Sequence, residues 1–129
     1  MLLDTCALIW TALGQDIGTK VRKAIEARPL HVSAISALEI GSLVRRNRLM
    51  LEGPATLWFD TVLRRLNARL SALPPALLIA STELAGDPPK DPFDRIMIAT
   101  ARERDLTLLT RDRVILAYCK SHNLAALAC

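Results

Sequence analysis

Residues 90–101 read KDPFDRIMIATA, and this stretch decides how the rest of the chain is organised. Asp91 can cap a helix, Pro92 suits the first helical position, and Asp94 falls in the first turn. From position 96 to position 101 the stretch carries no charge, and its apolar residues cover more than one helical face. It therefore predicts a helix that is buried nearly all round and that begins with an acid at the edge of the core. A carboxylate in that place must be capped, paired or bound to a metal.

The composition bounds the class of protein. Of the 129 residues, 51% are hydrophobic and only 4% are aromatic, so we expect a single domain over residues 1–129 with an aliphatic core. No apolar run approaches the ~20 residues that a membrane span needs. An acid at position 4 comes too early for a signal peptide, so we expect a cytoplasmic protein without a membrane segment.

Cysteine and charge counts add two weaker expectations. Cys6, Cys119 and Cys129 show no paired spacing, which favours reduced thiols that act as small buried hydrophobic residues. Seventeen lysines and arginines outnumber thirteen acids, giving a net charge of +4. This balance fits a polyanionic partner, although arginine richness can also reflect coding bias.

Short apolar segments alternate with helical patterns along the chain. Strands are predicted at 1–3, 30–32, 69–73, 106–110 and 124–129, and helices at 6–13, 20–27, 33–45, 55–67, 76–84, 93–104 and 114–121. Thr5, Thr19 and Ser33 are the expected caps of the first three helices. No hairpin signal such as Asn-Gly appears, so the pattern predicts an α/β fold with a parallel sheet flanked by helices on both faces.

Four acids are predicted to meet at the carboxyl edge of this sheet, where ligands bind in open α/β folds. Asp4 follows the first strand, Glu39 lies early in the helix after the second strand, Asp94 begins the organising helix, and Asp112 follows the LTLLT strand. Each also has a simpler interpretation. Asp4 and Asp112 can be turn residues, Glu39 can pair with Ser36 in a capping box, and Asp94 can favour its helix dipole.

Taken together, the four acids favour a metal site. Two carboxylates ~4 Å apart repel by about 4 kcal/mol at an effective dielectric near 20, and a divalent cation removes that cost. Oxygen ligands with no histidine or cysteine nearby suit Mg²⁺ or Mn²⁺. Such a site activates water for phosphodiester cleavage, so beside a basic surface it predicts a nuclease.

Four segments resemble the PIN domain of the VapC toxin type in order and spacing: LLDTCALIW at 2–10, SAISALEIGSLVRRNRL at 33–49, DPFDRIMIATA at 91–101 and LTLLTRD at 106–112. The resemblance implies a three-layer αβα sandwich with a central, mostly parallel sheet. It also implies an Mg²⁺- or Mn²⁺-dependent endoribonuclease that is neutralised by a cognate VapB-type antitoxin and that forms a homodimer.

The resemblance also implies residue roles. By position in the motifs, Asp4, Glu39 and Asp94 carry over as the core acidic residues and metal ligands, with Asp112 as the fourth. Thr110 matches a hydroxyl position near that site.

Neighbouring residues are interpreted more modestly. Asp91 is expected to cap its helix, with orientation of the site as the alternative. Thr5 is expected to cap its helix rather than to touch metal, although it could do both. Lys90 stands where many relatives carry histidine, which puts substrate contact at this position in doubt. His31 and His122 are interpreted as ordinary strand and surface residues.

Two surface features keep two interpretations each. Several arginines are candidates for guiding an RNA backbone, although solvated helix ends explain them equally well: Arg45, Arg46, Arg48, Arg95 and Arg111. The apolar helix with Trp58 and Phe59 either packs in the core or forms a groove for an antitoxin helix.

Two rival functions are considered. A non-catalytic RNA-binding or scaffold module of the same fold would need a broken acidic set, whereas all four positions here are acidic. A phosphotransfer domain with Asp4 as acceptor would need a lysine near the site, and Lys90 and Lys120 are poorly placed. Transfer, ribosomal and messenger RNA all stay open as substrates, because specificity lies in surface shape and loops.

Overall fold

The computed structural model describes all residues from Met1 to Cys129 and contains five strands and seven helices. The strands are β1 (Leu2–Leu3), β2 (His31–Ser33), β3 (Arg69–Ser71), β4 (Leu108–Thr110) and β5 (Ala126–Ala128). The helices are α1 (Thr5–Ala12), α2 (Thr19–Glu26), α3 (Ile35–Arg45), α4 (Ala55–Arg65), α5 (Pro75–Thr82), α6 (Pro92–Glu103) and α7 (Arg113–Ser121). None of these helices combines the length and the apolar character needed to cross a bilayer.

The five strands form one parallel sheet in the order β3-β2-β1-β4-β5. β1 lies at its centre, where Leu3 pairs with Val32 on one side and with Leu109 on the other. The chain builds outward from β1 in one direction through β2 and β3, and then in the other through β4 and β5. The strand order therefore reverses between β1 and β4, and the crevice at their carboxyl ends is the place where such folds bind ligands.

Helices cover both faces of the sheet, which confirms the predicted three-layer αβα architecture. Successive strand residues point to opposite faces. Leu3, Val32 and Leu109 join a core with buried residues of α1, α2 and α4. Leu2 and Leu108 join a second core with buried residues of α5, α6 and α7. All five of these strand residues are fully buried, so neither face of the central strands meets solvent.

The organising helix α6 is buried as predicted through its middle turns. Met97, Ile98 and Ala99 are at most 3% exposed. Burying a side chain the size of Met97 or Ile98 stabilises the fold by about 1.5–3 kcal/mol. The last turn faces solvent instead, where Arg102 and Glu103 form an ion pair of 2.9 Å. The prediction of burial on all sides is therefore correct for the centre of the helix and wrong for its end.

Four helices end on an asparagine or aspartate in the left-handed conformation: Asn47, Asn67, Asp105 and Asn123, with φ between 47° and 54°. In each case the next N–H donates to the carbonyl five residues earlier at 2.9 Å. This is the Schellman arrangement that usually needs glycine, and asparagine and aspartate tolerate it better than other side chains. These residues terminate α3, α4, α6 and α7 at fixed points and so set where the following segments begin.

The predicted starts of the first three helices were wrong by one or two residues. Asp4, and not Thr5, caps α1, because its carboxylate accepts from the backbone N–H of Ala7 at 2.7 Å. Gly18, and not Thr19, precedes α2. Ser33 is the last residue of β2, so α3 begins at Ile35. The Thr5 hydroxyl is therefore not used in helix capping, whereas the Ser33 hydroxyl accepts from Ile35 N at the start of α3, at 3.4 Å.

The three cysteines are free, as predicted, but only Cys119 is fully buried. Cys129 is half-buried and Cys6 is exposed. The interpretation as a small buried hydrophobic residue therefore fails for Cys6, which lies on the side of α1 that opens at the carboxyl edge of the sheet.

Candidate active site

A small cavity of about 100 Å³ opens where β1 and β4 end, and the four predicted acids all line it. Each comes from a different part of the chain, on the ends of β1 and β4 and on the first halves of α3 and α6. The complete lining comprises Asp4, Thr5, Cys6, Glu39, Phe93, Asp94, Met97, Asp112 and Ile115. The cavity is thus lined by both carboxylates and apolar side chains.

Asp4 is the most buried of the acids, at 8% exposed. One carboxylate oxygen accepts from Ala7 N, and the other accepts from the Thr110 hydroxyl. Burial raises the pKa of Asp4 above its ordinary value, and the charge on Asp112 raises it further, whereas the two hydrogen bonds act in the opposite direction. The hydrogen bonds therefore compensate part of the cost of a carboxylate that is placed at the edge of the core.

Glu39 points from α3 toward α1, where its carboxylate accepts from the Thr5 hydroxyl. Burial raises the pKa of Glu39, the Thr5 hydrogen bond opposes that rise, and the charges on Asp4 and Asp91 add to it. The predicted capping box is absent, because Ser36 is the second residue of α3 rather than its cap. The Ser36 hydroxyl lies 3.0 Å from that of Thr5 instead.

Asp94 has the largest pKa shift of the four acids. Burial raises the pKa of Asp94 to about 6, and repulsion from Asp91, Asp112, Glu39 and Asp4 contributes in that order. Asp91 caps α6 as predicted, with its carboxylate accepting from Phe93 N at 2.8 Å. All four neighbouring acids repel the negative charge of the Asp94 carboxylate, so their electrostatic effects add at this residue.

Asp112 is exposed at the rim and caps α7, where its carboxylate accepts from Val114 N at 2.7 Å and from Ile115 N at 3.0 Å. The Thr110 hydroxyl accepts from Asp112 N at 3.0 Å while it donates to Asp4. Asp112 therefore has a local structural role, which is consistent with its simpler interpretation as a turn residue. Its place in the cavity lining is an additional property.

The chemistry of the donor set fits a hard divalent cation, because four carboxylates converge and no histidine lies among them. The side chains are not arranged as ready-made ligands, since no group of three or more acidic, histidine or cysteine side chains is positioned to hold a metal ion. The protein itself occupies their oxygens: Thr110 and Ala7 on Asp4, Thr5 on Glu39. Lone pairs remain for a cation all the same, because Thr5 engages only Oε2 of Glu39 and each Asp4 oxygen accepts a single hydrogen bond.

The candidate arginines are scattered. Arg45 and Arg46 line a surface cavity of about 400 Å³ on α3, and Arg48 is exposed beyond that helix. The Arg95 side chain donates to Pro89 O. Arg111 lies over the Trp10 ring at 4.0 Å and donates to Cys129 O at 3.0 Å, and these two contacts order its guanidinium.

Other predicted positions lie outside the cavity. Lys90 is exposed and does not line it. His31 belongs to β2, as expected for an ordinary strand residue. His122 follows α7 and is half-buried, with its ring stacked on Tyr118 at 4.1 Å, so it is more embedded than the surface residue that was predicted.

The apolar helix α4 packs into the core and also borders a surface groove. Phe59 is buried in the core. Trp58 is half-buried and lines a groove of about 600 Å³ beside Leu13, Met50 and Leu57, which are 49%, 91% and 62% exposed. The groove is mostly apolar, and Arg65 at its edge donates to Ala12 O.

Sequence reasoning missed two polar residues at the site. Cys6 lines the cavity, and partial desolvation of its thiol there, together with the charges on Asp4 and Glu39, raises the pKa of that thiol to about 11. Ser36 was considered only as a cap. The spacing of Cys6 two residues after Asp4 was a usable signal, whereas the contact of Ser36 with Thr5 was not visible along the chain.

The sequence model of the family described as PIN domain matches residues 1–121. Ribonuclease VapC22 of Mycobacterium tuberculosis (strain ATCC 25618 / H37Rv) is 33% identical over 115 residues, which cover 88% of this chain and 87% of that protein.

Similar folds occur in solved structures. FitAcB from Neisseria gonorrhoeae matches with a TM-score of 0.64 at 21% identity, over 98% of this chain and 95% of that one. FitAB bound to an IR36 DNA fragment matches with a TM-score of 0.62 at 19% identity, over 98% and 93%. At these sequence identities, the two structures show that the fold is shared and nothing beyond the fold.

Proposed function

Because the chain belongs to the PIN-domain family, we propose that it is an endoribonuclease and the toxin of a toxin–antitoxin pair. The observation that carries the proposal is the convergence of Asp4, Glu39, Asp94 and Asp112 on one cavity at the point where the strand order reverses. The similarity to a protein named as a ribonuclease over 88% of this chain supports the same activity.

We propose these four acids as the ligands of Mg²⁺ or Mn²⁺. A cation bound there would supply a water of lowered pKa and would neutralise charge on the scissile phosphate. The upward pKa shifts of Asp4, Glu39 and Asp94 support the assignment, because burial and the neighbouring acids disfavour negative charges that a cation would neutralise. The cleavage should leave a 5′-phosphate and a 3′-hydroxyl, with no side chain acting as nucleophile.

The remaining polar residues of the site would orient its carboxylates. Thr110 holds Asp4, Thr5 holds Glu39, and Asp91 fixes the start of α6 and with it the position of Asp94. Arg111 is the arginine proposed to guide an RNA backbone, since it directly precedes Asp112 and its contact with Trp10 already orders the guanidinium. The non-catalytic alternative is less well supported, because it does not explain the clustered acids.

We propose the groove beside Trp58 as the docking site of the antitoxin. Three exposed apolar side chains, Leu13, Met50 and Leu57, border it, and an amphipathic helix or extended apolar segment would cover them. The chain is further proposed to act as one domain over residues 1–129, as a homodimer and in the cytoplasm. Light scattering of the purified chain tests the dimer.

The experiment that tests the proposed activity uses the purified full chain without antitoxin. A mixed RNA pool and a DNA pool of the same sequences are incubated with Mg²⁺, with Mn²⁺ and with chelator, and the new ends are sequenced. We expect internal cuts in RNA that need the cation and that carry 5′-phosphates. RNA binding without cleavage under every condition would favour the non-catalytic module, and cleavage of DNA alone would contradict the substrate class.

A further inference from the structure

Ser36 occupies a place that neither helix capping nor the proposed catalytic set explains. Its side chain is fully buried, at 0% exposed. It is the second residue of α3, whose cap position is taken by Ala34, so its hydroxyl does not cap the helix. The one polar contact of that hydroxyl is with Thr5, at 3.0 Å between the two oxygens.

The number of available hydrogens decides which of the two hydroxyls, Ser36 or Thr5, donates in this contact. The Thr5 hydroxyl has one hydrogen and lies within hydrogen-bond reach of both Glu39 and Ser36. An ionised Glu39 has no hydrogen to give, so the Thr5 proton goes to the carboxylate. The Ser36 hydroxyl then donates to the Thr5 oxygen, which is the only acceptor near it. The three groups form a chain of hydrogen bonds that runs from Ser36 through Thr5 to Glu39.

We propose that Ser36 is a positioning residue, which fixes the Thr5 hydroxyl so that Thr5 holds the Glu39 carboxylate at the cavity. This inference rests on the proposed function, since it assigns Ser36 a part in preparing a cation ligand. Thr5 and Glu39 both line the cavity, whereas Ser36 lies behind them and does not reach it.

The physical reason lies in the mobility of the residues that Ser36 restrains. Glu39 is a half-buried side chain with three rotatable bonds, and holding it in one orientation costs conformational entropy. A hydroxyl that is itself fixed by a buried donor restrains the carboxylate better than one that can rotate freely. Partners that orient metal ligands from behind typically change metal affinity or activity by about 10–100-fold when they are removed.

The test is a double-mutant cycle on the full chain with Ser36→Ala, Thr5→Val and both together. Thr5→Val keeps the shape of the side chain and removes the hydroxyl. Ser42→Ala is the matched control, because it makes the same change on the same helix, where the hydroxyl only donates to Leu38 O at 2.8 Å. Mn²⁺ affinity is measured by the cation-dependent rise in melting temperature, and kcat and KM by RNA cleavage.

We expect Ser36→Ala to weaken Mn²⁺ binding about 10-fold when Thr5 is unchanged. In a chain that already carries Thr5→Val, the same substitution should weaken binding less than about 2-fold. Ser42→Ala should leave the affinity unchanged, and Ser36→Thr, which keeps a hydroxyl, should restore most of it. Ser36→Ala should lower kcat and leave KM nearly constant, since the fully buried Ser36 is out of reach of RNA. A merely structural Ser36 would lower the melting temperature without altering Mn²⁺ affinity.

Two results overturn the inference. One is a Mn²⁺ affinity that Ser36→Ala leaves intact, and the other is an equal loss in both Thr5 backgrounds, which would show that Ser36 does not act through Thr5. If Mn²⁺ fails to stabilise even the unaltered chain, the proposed cation site is wrong and the part assigned to Ser36 is wrong with it. Melting temperatures in chelator then still report whether the two hydroxyls are coupled, because coupled residues give non-additive losses.

Discussion

Thr110 donates a hydrogen bond to Asp4 across 106 residues of sequence and joins the carboxyl ends of β1 and β4. Thr110 is fully buried and its hydroxyl also accepts from Asp112 N, so one side chain links two of the four acids. The strand-order reversal between β1 and β4 brings these two ends together.

Replacing Thr110 with valine should impair both stability and cleavage. The shape is kept, but a buried carboxylate loses a donor, which costs about 1–3 kcal/mol of the free energy of unfolding. Asp4 also loses its orientation, so we expect RNA cleavage to fall by about 10-fold or more. Urea unfolding and initial cleavage rates measure the two effects.

Thr107→Val is the matched control for that change. Thr107 precedes the same strand at its other end, where its hydroxyl accepts from Arg28 at 2.9 Å on an exposed surface. It should alter neither cleavage nor stability by more than about 0.5 kcal/mol. Equal behaviour of the two valine variants would argue against a special role for the bond between Thr110 and Asp4.

Asp94→Asn should abolish cation-dependent cleavage and yet stabilise the metal-free chain at pH 7. The amide removes a charge that burial and four neighbouring acids disfavour. Cleavage should drop by at least about 100-fold, because a ligand itself is lost rather than a partner behind it. Melting in chelator and cleavage with Mn²⁺ give the two readouts.

Asp87→Asn supplies the control, since Asp87 is exposed in the turn before α6 and does not line the cavity. It should behave like the unaltered chain in both assays. If the Asp94→Asn chain still cleaves RNA with Mn²⁺, the assignment of Asp94 as a cation ligand is wrong.

The stability of the metal-free chain should fall as the pH rises from about 4 to about 6. The pKa of Asp94 is about 6 in the folded chain against an ordinary value of 3.8, and the pKa values of Asp4 and Glu39 are shifted in the same direction. In this range the folded state holds protons that the unfolded state has lost, so raising the pH favours unfolding. Denaturation in chelator at pH 5 and pH 7 measures the change attributed to these groups.

Mn²⁺ should reverse that trend. Protons compete with the cation for the same carboxylates, so stabilisation by Mn²⁺ should grow as the pH rises through 6. At a hundredfold excess over Kd it should reach about 2.7 kcal/mol. A stabilisation that is equal at pH 5 and pH 7 would mean that Mn²⁺ binds elsewhere.

Leu57→Glu should weaken antitoxin binding and leave the fold intact. Leu57 is 62% exposed at the edge of the groove that Trp58 lines, so a charge there meets solvent in the free chain and apolar surface in the complex. We expect a loss of at least about 10-fold in affinity, because a buried charge without a partner is costly. Calorimetric titration with the cognate antitoxin measures it.

Leu70→Glu places the same charge on an exposed leucine of the edge strand β3 and should not affect that affinity. Trp58→Ala separates packing from docking, since a purely structural Trp58 would lower the melting temperature and leave the affinity of the folded chain unchanged. Binding that tolerates Leu57→Glu would place the antitoxin on another surface.

Much of the site was predictable because its signals are local. Asp91 caps a helix and Pro92 opens it, and this can be recognised from neighbouring residues alone. The alternation of apolar strands with helices likewise predicted a parallel sheet, and from that sheet followed the meeting of Asp4 and Asp112 at one edge. The resemblance to the PIN family then gave an expectation for the role of these acids.

Contacts between distant hydroxyls and carboxylates could not be predicted. Thr5 was expected to cap α1, but Asp4 takes that place, and the freed hydroxyl turns to Glu39 on α3. Which of two adjacent polar residues caps a helix depends on the backbone angles at the strand end, and these are set by the pairing of β1 with its neighbours.

The sequence by itself determined the parallel α/β class, the order of the elements and the set of four acids, because periodicity and helix-start signals act over a few residues. Only the tertiary structure decided how those acids are held. The sheet brings Thr110 to Asp4, and helix packing brings Ser36 and Thr5 to Glu39. Such pairings depend on the three-dimensional approach of separate segments, so no local pattern along the chain specifies them.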